Sequence, residues 1–188
     1  MEPRFFNPLA DVRITRHNLP HWDQPGATYF VTFRLGDSLP ATLLAAWKTE
    51  RDAWLKARRA PLSAEDEHEY HRLFSARIDQ WLDDGHGACI LRHPQASDRV
   101  VEALRHFDAE RYRLASWVVM PNHVHVCFVI NATWRVEQVM HSWKRHAANE
   151  INRLMGKSGA VWQRDYFDRL VRNAEHLGRV CATSAVTR

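Results

Sequence analysis

The sequence predicts an α+β fold in which helices cover one face of a mainly antiparallel sheet. Three observations predict it. Residues 27–35 alternate, with Tyr29, Val31, Phe33 and Leu35 on one side and Phe30, Thr32 and Arg34 on the other, the period of two that marks a strand. Two apolar runs, 112–120 and 123–130, are separated only by Pro121 and Asn122, the tight turn of a hairpin. Between and after these strands, apolar residues recur at helical spacing.

The elements follow in order. Pro40 opens a helix through Leu43, Trp47 and Trp54, which ends in a basic run stopped at Pro61. Ser63 with Asp66 three residues on has the form of a capping box, and Tyr70, Leu73, Phe74, Ile78, Trp81 and Leu82 carry a second helix to Asp84. Together these predict a helical hairpin inserted at about 40–84 in a single domain spanning 1–188. A short strand is expected at 88–91. After Pro94, Val100, Val101, Leu104 and Phe107 predict a helix to about Ala109. The stripe Val136, Val139, Met140, Trp143, Ala147, Ile151 and Leu154 predicts a long helix over 134–155, and 161–172 is expected to be helical in its second half.

Composition bounds the function. The chain has 188 residues, 45% of them hydrophobic and 26% charged, enough for a core that needs no disulfide or structural metal. No apolar run approaches a membrane span, and a cytoplasmic location is expected. Cys89, Cys127 and Cys181 are an odd number at wide spacing and read as free thiols. Charge is uneven: residues 1–110 hold 14 Lys and Arg against 17 Asp and Glu, whereas 111–188 hold 12 against 5. A basic back half points to a polyanionic partner.

Three features could carry chemistry. In Met120-Pro121-Asn122-His123-Val124-His125, a strand places both histidines on one face, where two imidazoles can chelate one divalent cation or sit as a half-buried polar pair. On the long helix, Lys144, Arg145 and Arg153 offer phosphate contacts, and Asn149 and Asn152 could reach sugars or base edges; the alternative is an ordinary solvated face. Tyr166, set among Arg164, Arg169 and Arg172, could be a nucleophile whose target phosphate those guanidinium groups hold, or a structural tyrosine.

Taken together, Tyr29-Phe30-Val31-Thr32-Phe33-Arg34-Leu35, Trp117-Val118-Val119-Met120-Pro121-Asn122-His123-Val124-His125, Ser142-Trp143-Lys144 and the segment 162–172 resemble the REP-associated tyrosine transposases, a branch of the IS200-like single-tyrosine HUH superfamily. The resemblance runs over about 21–176. It implies a ferredoxin-like sheet, a tyrosine on a C-terminal helix, and cleavage and transfer of single-stranded or hairpin DNA through a 5′-phosphotyrosine. By motif, His123 and His125 match the ligands of Mg²⁺ or Mn²⁺ and Tyr166 the nucleophile, with Lys144, Arg145, Asn149, Arg153, Arg164 and Arg169 as DNA contacts. A monomer or homodimer is expected. Two departures stand out. Leu170 occupies the place one turn after the tyrosine where relatives often have a polar ligand, leaving Asp168, Gln163 and Asn122 as candidates, and the tail at 177–188 looks shortened. The alternatives are a DNA-binding module that does not cut and a histidine-triad hydrolase, whose third histidine would stand where this chain has Cys127.

Overall fold

A computed structural model describes residues 2–16, 20–58 and 63–184. They form two compact units, one of 1–36 with 90–188 and the other of 37–89.

The first unit is built on a four-stranded antiparallel sheet. Its strands are β3 (Thr28–Arg34), β4 (Tyr112–Val119), β5 (His123–Ile130) and β6 (Phe167–Leu170), in the order β4-β5-β3-β6, preceded by a small hairpin of β1 (Arg13–Arg16) and β2 (Pro20–Asp23). With α4 (Pro94–Arg105) between β3 and β4, and α5 (Val136–Met155) between β5 and β6, the order of elements is β-α-β-β-α-β, the ferredoxin-like arrangement. The expected α+β class is therefore observed.

The alternation read in β3 decides the faces. Tyr29, Val31 and Phe33 join Val124, Val126 and Phe128 of β5 in a core closed by Val100 and Leu104 of α4 and Val139, Trp143 and Ile151 of α5. Tyr112 fits there because its hydroxyl donates to the Leu104 carbonyl (2.8 Å) and accepts from Trp143 Nε1 (2.7 Å), so neither polar group is buried unmatched. Helix α5 starts where Gln138 Oε1 accepts the Arg135 N–H (3.0 Å) and ends at Gly156, whose φ of 60° lets Lys157 N–H reach back to the Asn152 carbonyl. Leu154, expected in its stripe, is exposed.

Four expectations are corrected. Residues 88–91 form no strand: Cys89 takes a positive φ of 48° and a short 3₁₀ turn follows at Ile90–Arg92. The helix after Pro94 ends at Arg105, short of Ala109. The second half of 161–172 is strand β6, because Phe167, Asp168, Arg169 and Leu170 alternate and pair with the open edge of β3. The last helix, α6 (Ala174–Ser184), begins only at Asn173, whose Oδ1 caps His176 N–H (2.8 Å). It packs Leu177, Val180 and Cys181 on Phe30 and Cys127, the sheet face opposite α4 and α5, so the helices do not all lie on one face. Residues 185–188 of the tail lie outside those described.

The second unit, 37–89, is helical. Its helices are α1 (Ala41–Lys56), α2 (Ala64–Tyr70) and α3 (Ala76–Asp83). Ser63 and Asp66 make the reciprocal cap read from sequence. The expected continuous helix is interrupted by a π turn at His71–Ser75, where Ala76 N–H reaches the His71 carbonyl. Trp47 Nε1 donates to the Phe74 carbonyl at 3.1 Å, tying α1 to that turn. At its base, Ala88 N–H donates to Asp37 Oδ2, and Gly87 is required because a Cβ there would lie 2.6 Å from the Asp37 carbonyl oxygen. The Pro61 stop lies outside the described residues.

Candidate functional site

The two-residue turn before β5 is closed by Met120 N–H donating to the His123 carbonyl (2.8 Å), and the Asn122 carbonyl accepts from Leu35 N–H (2.9 Å). This fixes where β5 starts, and with it the face of its histidines. His123 and His125 point away from α4 and α5, toward the face that α6 covers in part, and are 1% and 6% exposed.

Their geometry is that of a convergent pair. Nε2 of His123 lies 3.0 Å from Nε2 of His125. Each Nδ1 has its own partner: Asn122 Oδ1 at 2.8 Å from His123 and Thr32 Oγ1 at 2.7 Å from His125. If Nδ1–H donates to these oxygens, both Nε2 atoms present bare lone pairs to one point. Burial lowers both imidazoles, His123 to about 3 with the help of His125, and His125 to about 4 with the help of the Arg169 guanidinium. Both are neutral at pH 7, the form that ligates a metal.

The donors suit a divalent cation. Two cis nitrogens at a metal–ligand length of about 2.1 Å in an octahedron stand about 3.0 Å apart, and mixed imidazole and oxygen ligation accepts Mn²⁺ and Mg²⁺. Among the described residues no three His, Cys, Asp or Glu side chains form a metal-holding group, so the remaining positions fall to other oxygens. Of the three candidates for a further ligand, Asn122 has its Oδ1 on His123 Nδ1, and Asp168 lies on the other face bonded to His21; the Gln163 carbonyl accepts from Lys144.

Tyr166 is not with the histidines. It directly precedes β6, where Asp168 and Leu170 pair with Val31 and Tyr29 and so share the core face. Tyr166 packs against that same core and stacks on His21 with ring centroids 4.4 Å apart. Burial pushes its hydroxyl well above the usual phenol range, and Asp168, Glu137, Asp165 and Asp23 push the same way by opposing a phenolate. The residues that β6 turns toward the His face are Phe167, paired with Thr32, and Arg169, paired with Phe30. Tyr29 and Tyr112, the other tyrosines of this unit, also belong to the core.

A second cluster, missed in the sequence, holds Tyr166 where it is. His21 is bonded through Nδ1 to Asp168 (2.5 Å) and through Nε2 to Asp165 (2.9 Å). A neutral imidazole can donate only once, so serving two ionised carboxylates takes the imidazolium. Burial works against that charge, but the bonds to Asp165 and Asp168 and the fields of both outweigh it and raise His21 to about 9. No spacing in the chain links His21 to residues more than 140 positions away.

Residues 91–181 match the family model described as "Transposase IS200 like". Over that segment, just under half of its length, the chain is similar to the IS200-like transposases. A solved structure of a REP-associated tyrosine transposase bound to a REP hairpin is 14% identical, with a TM-score of 0.43, over 87% of this chain and 67% of that one. No curated protein matches. Among the described residues, no helix is long and apolar enough to cross a membrane.

The residues expected to touch DNA divide between the two faces of the sheet. Arg169 pairs with Phe30 on the His face, its guanidinium 4.7 Å from the Phe167 ring centroid. Arg145, Asn149 and Arg153 lie on the solvent side of α5, over the opposite face, with Arg153 ion-paired to Glu150. Arg164 is exposed in the loop before β6.

Lys144, expected to touch a phosphate, has a structural role in the described fold. Its Nζ donates to the carbonyls of Gln163 and Arg164, each at 2.7 Å, and burial lowers its amine to about 8 against the pull of Asp165. Lys144→Met is expected to destabilise the fold by about 1–2 kcal/mol, as two carbonyls lose a charged donor, while leaving the salt dependence of DNA binding unchanged. Urea unfolding and a salt titration of oligonucleotide binding check the two halves of this expectation.

Cys127, where a histidine-triad enzyme would carry its nucleophile, is buried against α6 with its thiol pushed up by that burial. The geometry gives that alternative nothing.

Proposed function

We propose that this IS200-like chain engages single-stranded or hairpin DNA at the face of the sheet that carries His123 and His125, with one divalent cation, Mg²⁺ or Mn²⁺, held by that pair. The observation that carries this reading is the 3.0 Å approach of the two Nε2 atoms with both Nδ1 atoms occupied. A cation bound there supplies Lewis-acid polarisation of a phosphodiester oxygen. The chain's own residues do the rest. Asn122 and Thr32 hold the two rings in orientation, and the surrounding burial keeps both imidazoles unprotonated. Arg169, beside His125 on the same face, adds positive charge where a phosphate would lie.

A tyrosine ester at Tyr166 has less support. Its hydroxyl lies across the sheet from the His pair, among carboxylates that disfavour its attacking form. The reading best supported is therefore a transposase-type domain that binds DNA and a cation without delivering Tyr166 to the scissile phosphate. A hairpin-flanked single-stranded oligonucleotide incubated with and without Mn²⁺ tests it. Tyr166→Phe should bind that DNA with wild-type affinity and match the wild type in whatever cleavage occurs. A DNA adduct on the Tyr166 peptide of the wild-type chain, lost in Tyr166→Phe, would overturn the reading.

A further inference from the structure

We infer that Arg169, Arg172, His176 and Arg179 form a phosphate track for a single DNA strand, running from the His pair along the start of α6. The track rests on the reading that the His face receives DNA, and it names the part of the chain that grips the strand there.

The observations begin with β6. Its register puts Arg169 opposite Phe30, on the same face as His125, and the guanidinium charge is felt at both His125 and His176. Helix α6 lies on this face through Leu177, Val180 and Cys181, so its first turn stands beside the end of β6. Arg172 is exposed immediately before that helix, and Arg179 is exposed along it with an ion pair to Glu175 at 3.0 Å.

His176 is fixed between these arginines. Its N–H donates to Asn173 Oδ1 (2.8 Å), and its Nδ1 accepts the Arg172 N–H (3.3 Å). An imidazole accepting at Nδ1 carries its proton on Nε2, which leaves a neutral donor for an anionic oxygen. Burial and the three guanidinium groups keep it neutral. Three cations and one neutral N–H donor on one side of the sheet suit a chain of phosphates, each carrying one negative charge. Glu175 meets Arg179 at an exposed, solvent-screened position, where the pair is weak enough to yield to a phosphate.

The alternative placement is the solvent side of α5, where Arg145 and Arg153 lie over the opposite face. A strand bound there would not reach the histidines, and Arg153 is already paired with Glu150.

Binding of a fluorescein-labelled single-stranded oligonucleotide, followed by anisotropy over a KCl series in EDTA, tests the track without the cation. The variant Arg172→Ala/Arg179→Ala should weaken binding and make the slope of log K against log salt shallower by about 1.4, or about 0.7 per lost phosphate contact. Arg92→Ala/Arg99→Ala, which removes the same charge from the region of α4, should leave the slope unchanged. Arg92, Arg172 and Arg179 are exposed and Arg99 is half-buried beside Glu102, and circular dichroism verifies that each variant is folded. An unchanged slope in Arg172→Ala/Arg179→Ala overturns the track, as does a loss confined to Arg145→Ala/Arg153→Ala. The underlying cation reading fails by a different result: Mn²⁺ binding, read by electron paramagnetic resonance, that survives His123→Ala/His125→Ala.

Discussion

His125→Ala is expected to lose divalent-cation binding by at least 100-fold while retaining affinity for single-stranded DNA in EDTA. The physical reason is the geometry of the pair: with one Nε2 gone, the other imidazole is a single nitrogen donor with no carboxylate cluster to assist it among the described residues. On the proposed reading the phosphate contacts come from arginines, so DNA affinity without the cation should be untouched. Thr32→Val should show a smaller loss, of about 10-fold, because it removes only the oxygen that orients His125 through Nδ1. Isothermal titration with Mn²⁺ measures both. Equal affinities in wild type and His125→Ala would remove the pair from any metal role. The titration should also be flat with pH over the neutral range and weaken only as the solution approaches pH 4, since protons compete with the cation only near the depressed pKa values of about 3 and 4.

His21→Ala should be the most destabilising single substitution near Tyr166, by about 3–5 kcal/mol at pH 6, because it leaves the carboxylates of Asp165 and Asp168 buried without their cation. The effect has a pH signature. His21 titrates at about 9 in the folded chain and near 6.5 when unfolded. A group raised in the folded state contributes stability that is fully present below its unfolded value and is lost as pH rises through its folded one. The wild-type advantage over His21→Ala should therefore be largest at and below pH 6.5 and shrink through pH 9. His123 and His125 act in the opposite sense: both are depressed on folding, so their contribution is present above pH 6.5 and fades as pH falls toward 4. Urea unfolding across pH 5 to 10 reads the two limbs separately. An advantage independent of pH would mean that His21 is held neutral and donates to one carboxylate only.

Much of the fold was legible because its signals are local. The alternation of 27–35, the Pro121-Asn122 turn and the stripe of α5 each depend on a few neighbouring residues, and each element appears where those residues stand. His123 and His125 share a face for the same reason: residues two apart on any strand do. The segment 161–172 was misread because Tyr166, Phe167, Leu170 and Val171 satisfy a helical spacing as well as an alternating one. The open edge of β3 decides for the strand, and that edge is formed by a segment over 130 residues earlier.

That one choice governs the site. The amino-acid sequence by itself determined three strands of the sheet, the two helices over its core face and the adjacency of the two imidazoles, all consequences of periodicity along a single segment. Only the tertiary structure decided that Thr32 and Asn122 orient those imidazoles, that Lys144 ties down the loop before β6, and that Tyr166 is clamped beside His21 on the far side of the sheet. The reason is the parity of a strand: a residue's face depends on the register in which β6 meets β3, and a register is a property of two segments that neither contains alone.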